Sequence, residues 1–235
     1  MAKVDHSLHR QRVKERFLEN KTFEGFASHE IVEMLLFYAL PRKNTNEVAH
    51  ELMNRFGSIS GILDAPYEEL KKIDGIADHT ATFFKMLLPL GRIYNIDKFE
   101  KKPLLNSTNL VNKFLLGRYL GYTDEVFSMI SLDNCGRLIS YDILTKGSNN
   151  FVTADTRKVV ETAIKTGASQ VIIAHNHPGG FAIPSDSDIM ATELVKLACS
   201  SININLLDHF IIAGDDSVSM RDSGNFTKIW KEQKY

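Results

Sequence analysis

The sequence predicts an α+β protein in two parts, a small all-α segment followed by a larger mixed sheet with flanking helices. Three observations predict it. Over residues 8–94 apolar positions recur at helical spacing between capping residues and prolines. After about residue 110 the texture changes to short runs rich in β-branched and aromatic residues, separated by helical stretches. Between the two, residues 95–109 combine mixed charge, Pro103 and no sustained period. The predicted division is therefore a helical part over 1–94, a linker over 95–109 and a mixed-sheet domain over 110–235. At 235 residues the chain is long enough for each part to bury a core of its own.

In the first part, Ser28-His29-Glu30 opens an apolar run with Ile31, Met34 and Leu35, and Pro41 closes it. Further short helices follow over 46–56 and 66–73. In the second part, strands over 125–132 and 137–145 are joined by Asp133-Asn134-Cys135-Gly136, whose asparagine and glycine suit a tight hairpin turn. A helix over 154–167 leads into a third strand at 170–174. Another over 185–200 leads into a fourth, Asn205–Ala213.

Composition sets outer limits on function. Hydrophobic residues at 43% and charged ones at 24% exclude a disordered chain. Twenty-eight basic and twenty-nine acidic side chains leave a net charge of −1, nearly balanced on either side of residue 102. A protein that works mainly by wrapping nucleic acid carries a plainly basic domain, so any DNA contact here is local. Only Cys135 and Cys199 are present, far apart, which argues against a disulfide framework and a cysteine-based metal site. Cys135 reads as an incidental thiol. With a charged amino terminus and no apolar stretch of membrane-spanning length, the sequence predicts a cytoplasmic chain with no membrane partner.

The chemistry sits at residues 175–188. The apolar run Val171-Ile172-Ile173-Ala174 leads straight into His175-Asn176-His177-Pro178. Side chains alternate along an extended chain, so His175 and His177 share a face and can aim two imidazole nitrogens at one ion. The turn-rich Gly179-Gly180-Phe181-Ala182-Ile183-Pro184 brings the chain to Ser185, three residues before Asp188. If Ser185 caps the next helix, Asp188 lies in its first turn with its carboxylate able to reach the strand end. Two histidines and one carboxylate leave a coordination position open, as catalytic zinc sites do. Ser185 stands beside that position, where its hydroxyl can donate to a developing oxyanion. Each signal also has a plainer reading: His-x-His as a surface or packing pair, Ser-x-x-Asp as an ordinary capping box.

Taken together, His-x-His-Pro, six residues, then Ser-x-x-Asp between a strand and a helix resembles the JAMM (MPN-domain) metalloproteases. The forms His175-Asn176-His177-Pro178 and Pro184-Ser185 resemble the bacterial RadC family in particular. Ser131-Leu132-Asp133, Leu207-Asp208-His209-Phe210-Ile211-Ile212 and Ser219-Met220-Arg221-Asp222-Ser223-Gly224 also look like RadC segments. Upstream, Phe56-Gly57-Ser58 and Ile73-Asp74-Gly75-Ile76-Ala77 resemble the helix-hairpin-helix half of that family. The resemblance implies an MPN domain of cytidine-deaminase-like architecture behind a helix-hairpin-helix domain. It implies that His175, His177 and Asp188 bind one zinc ion, that Ser185 assists the oxyanion, and that a glutamate on an early strand is the general base. Glu125 occupies that place.

Two departures stand out. RadC relatives commonly carry Ser-Gly after His-Pro, where this chain has Gly179-Gly180, and Pro-Arg-Glu where it has Thr156-Arg157-Lys158. Asp208-His209 reads first as a packed strand dipeptide, with a role behind the metal ligands or as a spare ligand as the alternative. In the amino-terminal half, the tight turn Gly75-Ile76-Ala77, with Lys71 and Lys72 beside it, is where a DNA phosphate would sit. The Cβ of Ala77 opposes that, and so do Glu68, Glu69, Asp74 and Asp78.

Two functions follow from different classes. One is a zinc-dependent hydrolase that cleaves peptide or isopeptide bonds in a peptide or protein substrate through a zinc-activated water. The other is a non-catalytic, DNA-associated or scaffolding protein with a structural metal, whose DNA contact is weak and non-specific. A ligand set with an open position favours the hydrolase, because a scaffold has no use for one.

Overall fold

A computed structural model describes residues 6–41, 44–98, 102–147 and 154–230. The chain divides into two compact units, Met1–Leu90 and Gly91–Tyr235, with the boundary inside a long helix.

The first unit holds α1 (His6–Asn20), α2 (Ser28–Ala39), α3 (Thr45–Phe56), α4 (Ile59–Asp64), α5 (Tyr67–Leu70) and the first part of α6 (Asp78–Lys98). Sequence-encoded caps set its helix ends. The Asn44 side chain accepts the Asn46 N–H at the start of α3, and Gly57 at φ 76° stops it by donating to the Met53 carbonyl. The core joins Leu36 of α2, Leu52 of α3, Ile62 of α4 and Phe84 of α6, all at most 1% exposed. Lys85 points its ammonium at the carbonyls of Leu63 and Ala65, 2.9 and 3.0 Å away, completing the end of α4. The helix predicted over 66–73 shortens to α5, because residues 71–77 turn back toward α6.

The second unit is a sheet covered on both faces. Its strands are β1 (Val126–Leu132), β2 (Leu138–Lys146), β3 (Gln170–Asn176), β4 (Asn205–Ala213) and β5 (Asp216–Ser219), in the order β2-β1-β3-β4-β5. Helices α8 (Ala154–Thr166) and α9 (Asp186–Ser200) carry the chain into and out of β3, so β3 and β4 run parallel while the other pairs are antiparallel. One face of β1 and β3, with Met129 and Ile173, packs against Val159 of α8 and Val195 of α9. The other face, with Ile130 and Ile172, packs against Phe114 of α7 (Thr108–Tyr119). This double cover explains why every residue of β1 is buried, where a half-exposed strand alternates. The turn after β1 forms as the asparagine and glycine suggest: Gly136 sits at φ 78°, and the Asp133 carboxylate accepts the N–H groups of Cys135 and Arg137. A short helix α10 (Thr227–Trp230) follows β5.

The segment read as a linker over 95–109 has more structure than its composition predicts. Residues 95–98 are the last of α6, and 99–101 lie outside the described residues. From Pro103 the chain lies along the β1–β2 turn, where Leu105 N–H donates to the Gly136 carbonyl and Leu138 N–H to that of Pro103. Leu105 is itself part of the core beneath α7. Among the described residues no helix is long and apolar enough to cross a membrane.

Candidate metal centre

β3 is two residues longer than predicted, and that extension carries the site. His175 lies within the strand, opposite Phe127 of β1, and His177 N–H continues the pairing by donating to the Ile212 carbonyl at 2.8 Å. Continued one step, the β1–β3 register sets Glu125 across from His177, on the face that carries both histidines. Asn176 points to the other face. Its side-chain oxygen accepts the Val126 N–H at 2.7 Å and its NH2 donates to the Asp124 carbonyl at 3.0 Å. The backbone on both sides of Glu125 is thereby tied to the residue between the two histidines.

The fourth side chain arrives from α9. Ser185 is the N-cap, and its hydroxyl accepts the Asp188 N–H while the Asp188 carboxylate accepts the Ser185 N–H, a full capping box. The capping and ligand readings of Ser-x-x-Asp are therefore one arrangement. Asp188 Oδ2 takes the Ser185 N–H and O–H at 2.7 and 2.6 Å, which leaves Oδ1 facing His175 Nε2 at 3.1 Å. His175 Nε2 stands 2.9 Å from His177 Nε2, which is 3.6 Å from Asp188 Oδ2. A Glu125 carboxylate oxygen lies within 4.8 Å of ligand atoms of both histidines. The structure thus brings Glu125, His175, His177, Ser185 and Asp188 together at one end of the sheet.

The donor set fits zinc. Donors at zinc's bond length of about 2.0–2.1 Å on a tetrahedron stand about 3.4 Å apart. The two imidazole nitrogens at 2.9 Å, and His175 Nε2 with Asp188 Oδ1 at 3.1 Å, stand within a few tenths of an ångström of that value, and His177 Nε2 lies 3.6 Å from the other oxygen of the same carboxylate. His177 Nδ1 lies 3.0 Å from the Phe181 carbonyl, which only accepts, so Nδ1 carries the proton and Nε2 offers a lone pair toward His175 and Asp188. Electrostatics agrees. Burial alone would raise the Asp188 pKa, but the His175 imidazole and the two Ser185 donors outweigh it and hold the carboxyl well below its ordinary range. Burial raises Glu125, and the two histidines offset part of the rise. His175 and Asp188 are buried, while Glu125 and His177 are half-buried.

Behind His175 lies a residue whose role the sequence left open. His209, on β4 beside β3, sets its Nε2 2.9 Å from His175 Nδ1, and burial holds its pKa well below the ordinary histidine value. Asp208 faces elsewhere, accepting from the Ser219 hydroxyl and from the N–H groups of His209 and Arg221. Thr192 and Asn176 are additions that the sequence reading missed. Thr192 lies one helical turn after Asp188, and Asn176 is a polar side chain on the buried face of a strand; those were their signals. At the two departures from the RadC pattern, Gly179 adopts φ 69°, where a serine would be strained, and Lys158 donates to the Leu144 carbonyl and Thr145 hydroxyl of β2.

The amino-terminal candidates form no comparable cluster. Gly75 takes the expected positive φ of 85°, and Ile73 and Ile76 are core. Lys71 pairs with Asp78 at 2.8 Å, and Lys72 with Glu69. The Ala77 carbonyl accepts the Ala81 N–H as α6 begins.

A five-stranded mixed sheet between helices, with a His-x-His strand end facing an acidic helix start, defines a domain of the JAB (MPN) class. The family model described as the RadC-like JAB domain matches residues 105–225. A UPF0758 protein of Fusobacterium nucleatum subsp. nucleatum is 33% identical over 231 residues, covering 95% of this chain and 99% of the relative. Another, of Pseudoalteromonas translucida, is 32% identical over 214 residues, covering 91% and 95%. The chain belongs to the RadC family.

Proposed function

We propose that the protein is a zinc-dependent hydrolase of the JAMM type, acting on peptide or isopeptide bonds. The observation that carries this reading is the clustering of His177 Nε2, His175 Nε2 and the Asp188 carboxylate, with the half-buried Glu125 beside both histidines. His175, His177 and Asp188 are the residues that would hold the ion. When bound, zinc supplies Lewis acidity, which lowers the pKa of a coordinated water to about 7 and polarises a carbonyl.

The chain's own residues supply the rest. Glu125, whose pKa burial raises, takes a proton from the attacking water as the water oxygen bonds to the carbonyl carbon, then returns that proton to the leaving nitrogen as the C–N bond breaks. The Ser185 hydroxyl, which donates to Asp188 in this structure, turns to the carbonyl oxygen as negative charge builds there. Asn176 holds the backbone that presents Glu125.

The experiment is Glu125→Gln, which keeps shape and removes basicity. Against a panel of peptide and isopeptide substrates, hydrolysis should fall at least about a hundred-fold with zinc content unchanged. Asp124→Asn, one residue away, should change little. Loss of zinc in Glu125→Gln would make that residue a ligand, and unchanged turnover would remove it from the chemistry.

A further inference from the structure

We infer that His209 and Thr192 are positioning residues that decide which nitrogen of His175 carries its proton, and so whether that ring can act as a ligand. This rests on the metal reading above and adds to it a device in the fold that neither the ligand motif nor the helix cap contains. The observation is an unbroken chain of contacts between two proposed ligands. His175 Nδ1 stands 2.9 Å from His209 Nε2, and His209 Nδ1 stands 2.7 Å from the Thr192 hydroxyl. The hydroxyl is 2.5 Å from the backbone carbonyl of Asp188, one helical turn earlier. His175, His209, Asp188 and Thr192 are all buried, so bulk water is a poor substitute for any link.

Proton directions along the chain follow from its end. A carbonyl only accepts, and Thr192 has one hydroxyl proton. The remaining neighbour, Met220 Sδ at 3.5 Å, is a weak acceptor. With the proton on the Asp188 carbonyl, Thr192 must accept from His209 Nδ1–H. A neutral His209, with its one ring proton on Nδ1, then presents a bare Nε2, which accepts from His175 Nδ1–H. His175 is left with a lone pair on Nε2, aimed at His177 and Asp188. If the Thr192 proton turned to His209 instead, every link would reverse. His175 Nε2 would then carry a proton and donate it to Asp188 Oδ1, and the ring would close the site rather than ligate. The Asp188 carbonyl, fixed by the first turn of α9, biases the chain to the first arrangement. The same short stretch of helix thus supplies a carboxylate to the site and, through its backbone, sets the tautomer of the opposing imidazole.

The test reads tautomers directly and metal separately. Imidazole 1H–15N correlation spectra of wild-type protein with zinc added should show Nδ1–H on both His175 and His209. Nε2–H on His209 would overturn the inference whether or not any metal binds. Thr192→Val keeps the shape and removes the hydroxyl, and zinc affinity, read by competition with a chromophoric chelator, should fall about 10–100-fold. Thr192→Ser, which restores the hydroxyl, should recover most of it. If wild type binds zinc and Thr192→Val binds it equally with the His175 tautomer unchanged, the inference fails while the metal reading stands. If wild type binds no zinc, the metal reading fails and the spectra still decide the tautomers. Should Thr192→Val not fold, the wild-type spectra alone decide.

Discussion

Asp78 and Asp188 look alike in the sequence. Each lies in the first turn of a helix, with basic or imidazole side chains nearby. Their surroundings separate them. Asp78 has a side chain 76% exposed and is already engaged by Lys71 and the Tyr67 hydroxyl. Asp188 is 8% exposed, has one oxygen held by its own cap and turns the other toward an imidazole nitrogen. An acidic first turn by itself carries no function. What distinguishes the second site is that its donors cluster around a buried carboxylate that faces two imidazoles rather than an ammonium. At the amino-terminal turn the lysines are consumed in place: Lys71 and Lys72 by carboxylates, Lys85 by the end of α4.

The largest expected effect sharpens this contrast. Asp188→Ala should weaken zinc binding by orders of magnitude, read by chelator competition, whereas Asp78→Ala should leave it unchanged. Equal effects would mean that burial and convergence are not what makes the site. Next comes removal of the ion. For a ligand present at about a hundred times its Kd the linkage contribution is about 2.7 kcal/mol. Stripping zinc with a chelator should therefore lower the melting temperature of the unit containing α9 by about 5–10 °C. No shift would indicate an ion that the fold ignores.

In the first unit, Lys85→Met should cost about 1–2 kcal/mol in denaturant unfolding, because the Leu63 and Ala65 carbonyls lose their donor. A neutral result would free Lys85 for a ligand. The smallest effects concern DNA. Binding, where detectable, should be weak, indifferent to sequence and strongly salt-dependent, and Ala77→Gly should strengthen it only modestly. Tight, salt-resistant binding would break the contrast by showing that the paired lysines release their carboxylates.

The site was more legible in the sequence than its surroundings. Alternation in the strand and the position of Asp188 three residues after a capping serine are local rules, and the residues they nominate meet in space. The supporting side chains were less visible because their partners are distant in sequence: His209 reaches across from β4, and Asn176 holds β1 from fifty residues away. Helix α7 does not stand out in the sequence, although Ser107 caps it and Val111, Phe114 and Leu115 mark its buried side, since the preceding segment reads as loop. β5, four residues of Asp-Ser-Val-Ser, carries no strand pattern of its own and exists through its ladder with β4. Leu105, inside the supposed linker, packs into the core of the sheet domain.

The central claim is that three side chains from two elements form one cation site. Calorimetric titration of zinc into metal-stripped full-length protein tests it most directly, with His177→Ala alongside. The account predicts one zinc per chain in the wild type and loss of that binding in the variant, with the variant still folded. Absence of binding in the wild type, or equal binding by His177→Ala, would contradict it.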